Sequence, residues 1–123
     1  MRTVVVLVVD DDKSSRAILE LALSTEGYEV RSAANGAAGL DRARMLHPDV
    51  ILLDLAMPIM DGFAFRAEQL RDPAIAAIPV ICISGRKDSP EAVRALHLSG
   101  SVGKPFALDD IVDQVKDLTR QVM

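Results

Sequence analysis

Three short runs of consecutive apolar, largely β-branched residues constrain the fold most: Val4 to Val9, Val50 to Leu53 and Val80 to Ile83. A strand with one solvated face alternates apolar and polar side chains, so runs without alternation are expected where both faces are buried. Central strands of a parallel sheet provide that environment. The intervals between the runs carry helical patterns. Ile18, Leu19, Ala22 and Leu23 fall at helical spacing, with Ser14 or Ser15 available as N-cap and Gly27 past the end. A second helix is predicted over Gly36 to Leu46; His47-Pro48-Asp49 ends it, the proline restricting His47 to extended conformations. Ser89-Pro90-Glu91 supplies a cap, a proline at the first helical position and an early acid, announcing a helix that Gly100 closes. In the last helix Leu108, Ile111, Val112, Val115, Leu118 and Val122 share one stripe, and Asp109, Asp113, Lys116, Asp117 and Arg120 face outward. Strand and helix alternate about five times. The expected fold class is α/β: an open, doubly wound, five-stranded parallel sheet with helices on both faces.

With 123 residues, half of them hydrophobic, the chain can bury one core and is short for two, so residues 1–123 read as a single domain. Lys and Arg total 14 against 18 Asp and Glu, a net charge of -4, which offers no basic field for nucleic acid or an anionic membrane. Cys82, the one cysteine, lies inside the third apolar run and reads as a small core residue. The first apolar run is too short to span a bilayer and lacks a signal-peptide cleavage site, so cytoplasmic residence is expected. No linker, low-complexity tract or internal repeat is visible, and no attached effector is expected.

The polar residues that end the strands carry the chemistry. Val9 runs into Asp10-Asp11-Asp12, Leu53 into Asp54, Ile83 into Ser84, and the segment Ser101-Val102-Gly103 into Lys104. Parallel strands deliver these ends to one edge of the sheet, where ligands of such folds bind. Clustered carboxylates repel one another and stay ionised only with a compensating cation, and an oxygen-only donor set suits Mg²⁺. Asp54 at a central strand end can then act as nucleophile toward a phosphoryl group, with Lys104 and the Ser84 hydroxyl on further phosphoryl oxygens. An aspartate between Ile51-Leu52-Leu53 and Leu55 is costly without such a partner.

Leu7-Val8-Val9-Asp10-Asp11, Asp54-Leu55-Ala56-Met57-Pro58-Ile59-Met60-Asp61-Gly62, Ser84 and Lys104-Pro105-Phe106 together resemble the receiver domain of two-component response regulators, a flavodoxin-like fold. The resemblance implies that Asp54 is the phosphorylated residue and a metal ligand. It further implies that Asp11 ligates Mg²⁺ directly, that Asp10 acts mainly through a water, and that the backbone carbonyl of Ala56 completes the protein's metal contacts. Ser84 resembles the hydroxyl residue that turns toward the phosphoryl group, and Lys104 the paired lysine. The implied phosphodonor is a histidine kinase or a histidine phosphotransfer protein, the downstream target being a protein the sequence does not name. No direct nucleic-acid or membrane partner is expected.

Two positions depart from the family pattern. Ser101 stands where a Tyr or Phe usually forms a switch with the Ser84 position, and Gly103 replaces a commonly apolar residue. Met57-Pro58 and Asp61-Gly62 read as loop chemistry, Phe63 and Phe65 as packing residues, and His47 and His97 as surface residues. Competing readings are a phosphorylation-independent binding module and a Mg²⁺-dependent phosphatase using Asp10 of Asp10-x-Asp12-x-Ser14, which leaves Asp54 unexplained. A flavin carrier lacks aromatic residues to stack on the ring, with no Trp and one Tyr.

Overall fold

The computed structural model describes residues 2–85 and 88–120. Its elements run β1 Val5–Val9, α1 Lys13–Thr25, β2 Glu29–Ala33, α2 Gly36–Leu46, β3 Val50–Asp54, α3 Gly62–Arg71, β4 Val80–Ser84, α4 Pro90–Arg94, β5 Gly100–Gly103 and α5 Leu108–Thr119. All strand pairs are parallel, in the order β2-β1-β3-β4-β5. The three apolar runs are the three inner strands.

The lack of alternation in those runs has a direct cause. Val6, Val8, Leu52, Ile81 and Ile83 point into a core closed by Leu19 and Leu23 of α1 and Ile111, Val112 and Val115 of α5. Leu7, Val9, Ile51, Leu53, Val80 and Cys82 point to the other face, against Leu40 and Ala43 of α2 and Phe65 of α3. Each strand thus alternates between two apolar layers, and burying one such side chain is worth about 1.5–3 kcal/mol. Cys82 sits in the second layer, where burial pushes its thiol up to about 11, as suits a packing residue.

Several expectations are corrected. Asp12, not Ser14 or Ser15, caps α1: its carboxylate accepts from the Ser14 amide at 2.9 Å, leaving both serines inside the helix. His47 is left-handed (φ 46°) rather than extended, because its amide turns back to the Ala43 carbonyl and closes α2. The helix capped by Ser89 ends at Arg94, and Gly100 opens β5 instead of closing it. Ile18 is exposed although it neighbours the buried Leu19. On α5, Ile111, Val112 and Val115 are buried as expected, joined by Thr119; Val122 lies outside the described residues. Gly27 follows α1 with φ 94°, a conformation that costs glycine little.

Candidate functional site

The sheet register assembles the site. Val9 pairs with Leu53, so one step further places Asp10 beside Asp54. Asp54 pairs with Ile83, and Ser84 with Gly103, so Ser84 and Lys104 follow on the neighbouring strands. The Lys104 amide donates to the Ser84 carbonyl at 2.8 Å, and the Lys104–Pro105 peptide is cis. Residues separated by fifty positions then touch: Lys104 Nζ donates to Asp54 Oδ1 at 3.0 Å.

One carboxylate oxygen each from Asp10, Asp11 and Asp54 lies within 4.8 Å of the others. Asp10 and Asp54 are 1% and 2% exposed, whereas Asp11 faces solvent. Burial raises the Asp10 carboxyl to about 6; the Asp12 amide, donating at 2.9 Å, opposes this rise, and the neighbouring charge of Asp54 adds to it. Two buried carboxylates with Lys104 as their near cation therefore form an under-compensated pocket. Its all-oxygen donor set and the open side at Asp11 fit a hard divalent cation such as Mg²⁺.

Asp12 takes no part in this cluster, being committed to its cap. Ser84 is half-buried at the end of β4. Ala56 is exposed in the loop after β3, and its amide donates to Asp54 Oδ1 at 3.0 Å, fixing the carboxylate from the chain side. Ser101 is exposed on β5, and its carbonyl accepts from Gln114 at 3.1 Å, so its side chain is not packed behind Ser84. His47 and His97 are exposed and apart from the cluster.

Two supporting residues escape sequence reasoning. Arg16 Nη1 donates to the Asp10 carbonyl at 2.9 Å, holding the acidic turn from α1, and no spacing signal announces it. Gly62 has a sharper role. A Cβ there would lie 2.6 Å from Leu55 Cα and 2.9 Å from the Asp54 carbonyl, so only glycine lets α3 start this close to the end of β3. Asp61 caps that helix by accepting from the Ala64 amide at 2.8 Å, the loop chemistry expected of Asp61-Gly62.

Residues 6–116 match the family model of the response regulator receiver domain. The transcriptional regulatory protein PrrA of Mycobacterium tuberculosis is 38% identical over 119 residues, covering 94% of this chain and 50% of PrrA. The response regulator PleD of Caulobacter vibrioides is 36% identical over 117 residues, covering 94% of this chain and 26% of PleD. The chain thus spans from about a quarter to half the length of these curated relatives. Among solved structures, the chemotaxis protein CheY4 of Vibrio cholerae superposes with a TM-score of 0.86 at 30% identity, covering 95% of this chain and 99% of that one. Strand order, the acidic cluster at the sheet edge and these matches converge: the chain belongs to the receiver domains of two-component response regulators.

Proposed function

We propose that the chain acts as one phosphoacceptor unit in which Asp54 takes a phosphoryl group from a phosphohistidine donor, a histidine kinase or a histidine phosphotransfer protein. The observation that carries this reading is the buried Asp54 carboxylate, held at 3.0 Å by Lys104 beside Asp10 and Asp11. Receiver domains bind Mg²⁺ at an acidic pocket, and Asp10, Asp11, Asp54 and the Ala56 carbonyl are the residues that would hold it in this chain. Bound there, Mg²⁺ would neutralise charge on the phosphoryl oxygens.

The chain's own residues supply the remainder. A free oxygen of the Asp54 carboxylate attacks phosphorus; the new P–O bond forms as the P–N bond to the donor imidazole breaks, and the imidazole nitrogen keeps the electron pair. Lys104 is already directed at Asp54 Oδ1 and needs only a small shift to contact a phosphoryl oxygen. Ser84, one strand away, offers its hydroxyl to another. Attack of water on the phosphorus of the acyl phosphate breaks its P–O bond to Asp54, releasing inorganic phosphate and returning the carboxylate, so the protein promotes both its phosphorylation and its dephosphorylation. Lys104 and Ser84, with the loop after Ser84, form the switch; Ser101 contributes little area to it.

Among the described residues no helix is long and apolar enough to cross a membrane. A protein, not nucleic-acid, target for these residues accords with the net charge of -4. RpaA of Synechocystis, 30% identical, is itself described as a DNA-binding regulator. The deciding experiment is intact-protein mass spectrometry after treatment with acetyl phosphate and Mg²⁺. Wild type gains one phosphoryl mass, Asp54→Asn gains none, and an unchanged gain in the variant refutes the assignment.

A further inference from the structure

Of the three carboxylates in the pocket, Asp11 alone has no partner among the described residues. Asp54 accepts from Lys104 and from the Ala56 amide, and Asp10 accepts from the Asp12 amide. Asp11 faces solvent, and neither its side chain nor its backbone makes a hydrogen bond among the described residues. Its direction is therefore set by the chain on either side of it.

Peptide units are planar, so the aim of the Asp11 side chain follows from the two peptide planes that flank it. The Asp11–Asp12 plane is held by the Asp12 amide, which donates to Asp10 Oδ1 at 2.9 Å. The Asp10–Asp11 plane is held by Arg16 Nη1, which donates to the Asp10 carbonyl at 2.9 Å from the first turn of α1. β1 ends at Val9, and no backbone amide among the described residues reaches this carbonyl in place of Arg16. Arg16 stands beside an acidic turn, yet its hydrogen bond goes to a neutral carbonyl and not to a carboxylate. A cation there would by charge alone oppose a second cation in the pocket. What Arg16 offers the site is a fixed peptide plane.

We propose that Arg16 is a positioning residue for the metal site. By fixing the Asp10–Asp11 peptide it holds the Asp11 carboxylate toward Asp10 and Asp54, where one oxygen of each lies within 4.8 Å of the others. The inference rests on the reading of this pocket as a Mg²⁺ site and adds a residue outside the donor set that keeps the solvent-facing ligand in place. Partners that orient a ligating side chain act in the same way, here through the backbone. Without Arg16 the peptide before Asp11 can turn, and the one ligand with no contact of its own is the first to leave.

Charge and position have opposite signs in this pocket. Removing a guanidinium lessens the repulsion that Mg²⁺ meets, so a residue acting by charge alone would give tighter binding when lost. The test titrates the full ¹⁵N-labelled chain with MgCl₂ alone, without phosphodonor, and reads the dissociation constant from the amide shifts of Asp10 to Lys13. Arg16→Met keeps the aliphatic length and loses donor and charge; it should bind Mg²⁺ about tenfold more weakly than wild type. Arg16→Lys keeps the charge and a donor and should stay within about threefold. Arg16→Ala should follow Arg16→Met, and because alanine is the best helix former it replaces the methionine variant if that one does not fold. The metal-free amide spectrum of each variant reports that the fold is kept. Binding by Arg16→Met as tight as in wild type, or tighter, overturns the proposal and leaves the Mg²⁺ site standing. Equal weakening in Arg16→Lys and Arg16→Met also overturns it. A wild type without saturable shifts overturns the Mg²⁺ reading of the pocket, and this inference with it.

Discussion

Replacing Asp10 by Asn should stabilise the metal-free protein at neutral and higher pH. The Asp10 carboxyl, 1% exposed and facing Asp54, is raised from 3.8 to about 6, chiefly by burial. Between those values the folded state binds more protons than the unfolded one, so stability falls as pH rises through the window and stays low above about 6. At 1.36 kcal/mol per unit the full shift sets a ceiling of about 3 kcal/mol. Water at the open side near Asp11 screens part of this, leaving about 1–2 kcal/mol. Asparagine keeps an oxygen for the Asp12 amide, now 2.9 Å from Asp10 Oδ1, so the acidic turn survives. Thermal melts in chelator should place Asp10→Asn roughly 5 °C above wild type near pH 8, with the two converging near pH 4. Added Mg²⁺ should raise the wild type more than the variant, which keeps Asp11 and Asp54 but lacks the Asp10 charge. A variant no more stable than wild type near pH 8, or a gap that does not close on acidification, refutes the account of an under-compensated pocket.

Gly62→Ala should destabilise the fold by about 1–3 kcal/mol, because the new methyl meets, besides the tip of the Leu55 side chain, the Leu55 and Asp54 backbone, which cannot turn aside; urea unfolding measures it. Arg66, 7% exposed, donates to the part-buried carbonyls of Leu96 and His97 and to the buried Gln69 Oε1, so Arg66→Met leaves all three acceptors without this donor and should cost about 2 kcal/mol, less whatever removal of a desolvated charge returns. Arg66→Lys should rescue little, since one ammonium does not span that fork. On addition of beryllofluoride and Mg²⁺, amide exchange should slow in the loop after Ser84, of which Arg86 and Lys87 lie outside the described residues, and around Met57 to Gly62, with Asp109 to Thr119 quiet; large protection changes along α5 count against this.

What was legible in the sequence, and what was not, divides along physical lines. β1, β3 and β4 announced themselves because burial on both faces removes alternation, and the pocket could be located because parallel strands must end together. β2 gave no such signal: Glu29, Val30, Arg31 and Ser32 sit at the sheet edge with their side chains partly in water. α3 was hidden for the opposite reason. Its buried face is Gly62, Phe65, Arg66 and Gln69, so the inward stripe is mostly not apolar. Gln69 donates to the Ile75 and Ile78 carbonyls at 3.0 Å and accepts from Arg66. That network satisfies backbone groups of a turn and of the α4–β5 connection, a use of arginine and glutamine that depends on tertiary position and leaves no local pattern. The identity of the α1 cap failed similarly: Asp12, Ser14 and Ser15 are all good caps, and the choice was made by where β1 ends.

Unequal burial across the sheet also bears on how a signal leaves the pocket. All five residues of β3 are buried, so Asp54 stands on the most firmly packed strand. On the far side, α4 has no buried residue and β5 has only Val102. Elements with so little buried surface open at low free energy, while the inner strands open only with the whole fold. Lys104 joins these two regimes, since it leaves the end of β5 and reaches Asp54 at 3.0 Å. A phosphoryl group on Asp54 would give Lys104 a new, more highly charged partner, and the pull would act on the strand least able to resist it. Ser101 and Gly103 carry no side chain bulky enough to convert that movement of the strand into a push on α5. The pull is expected to be spent within β5 and the loop after Ser84, with α5 left in place.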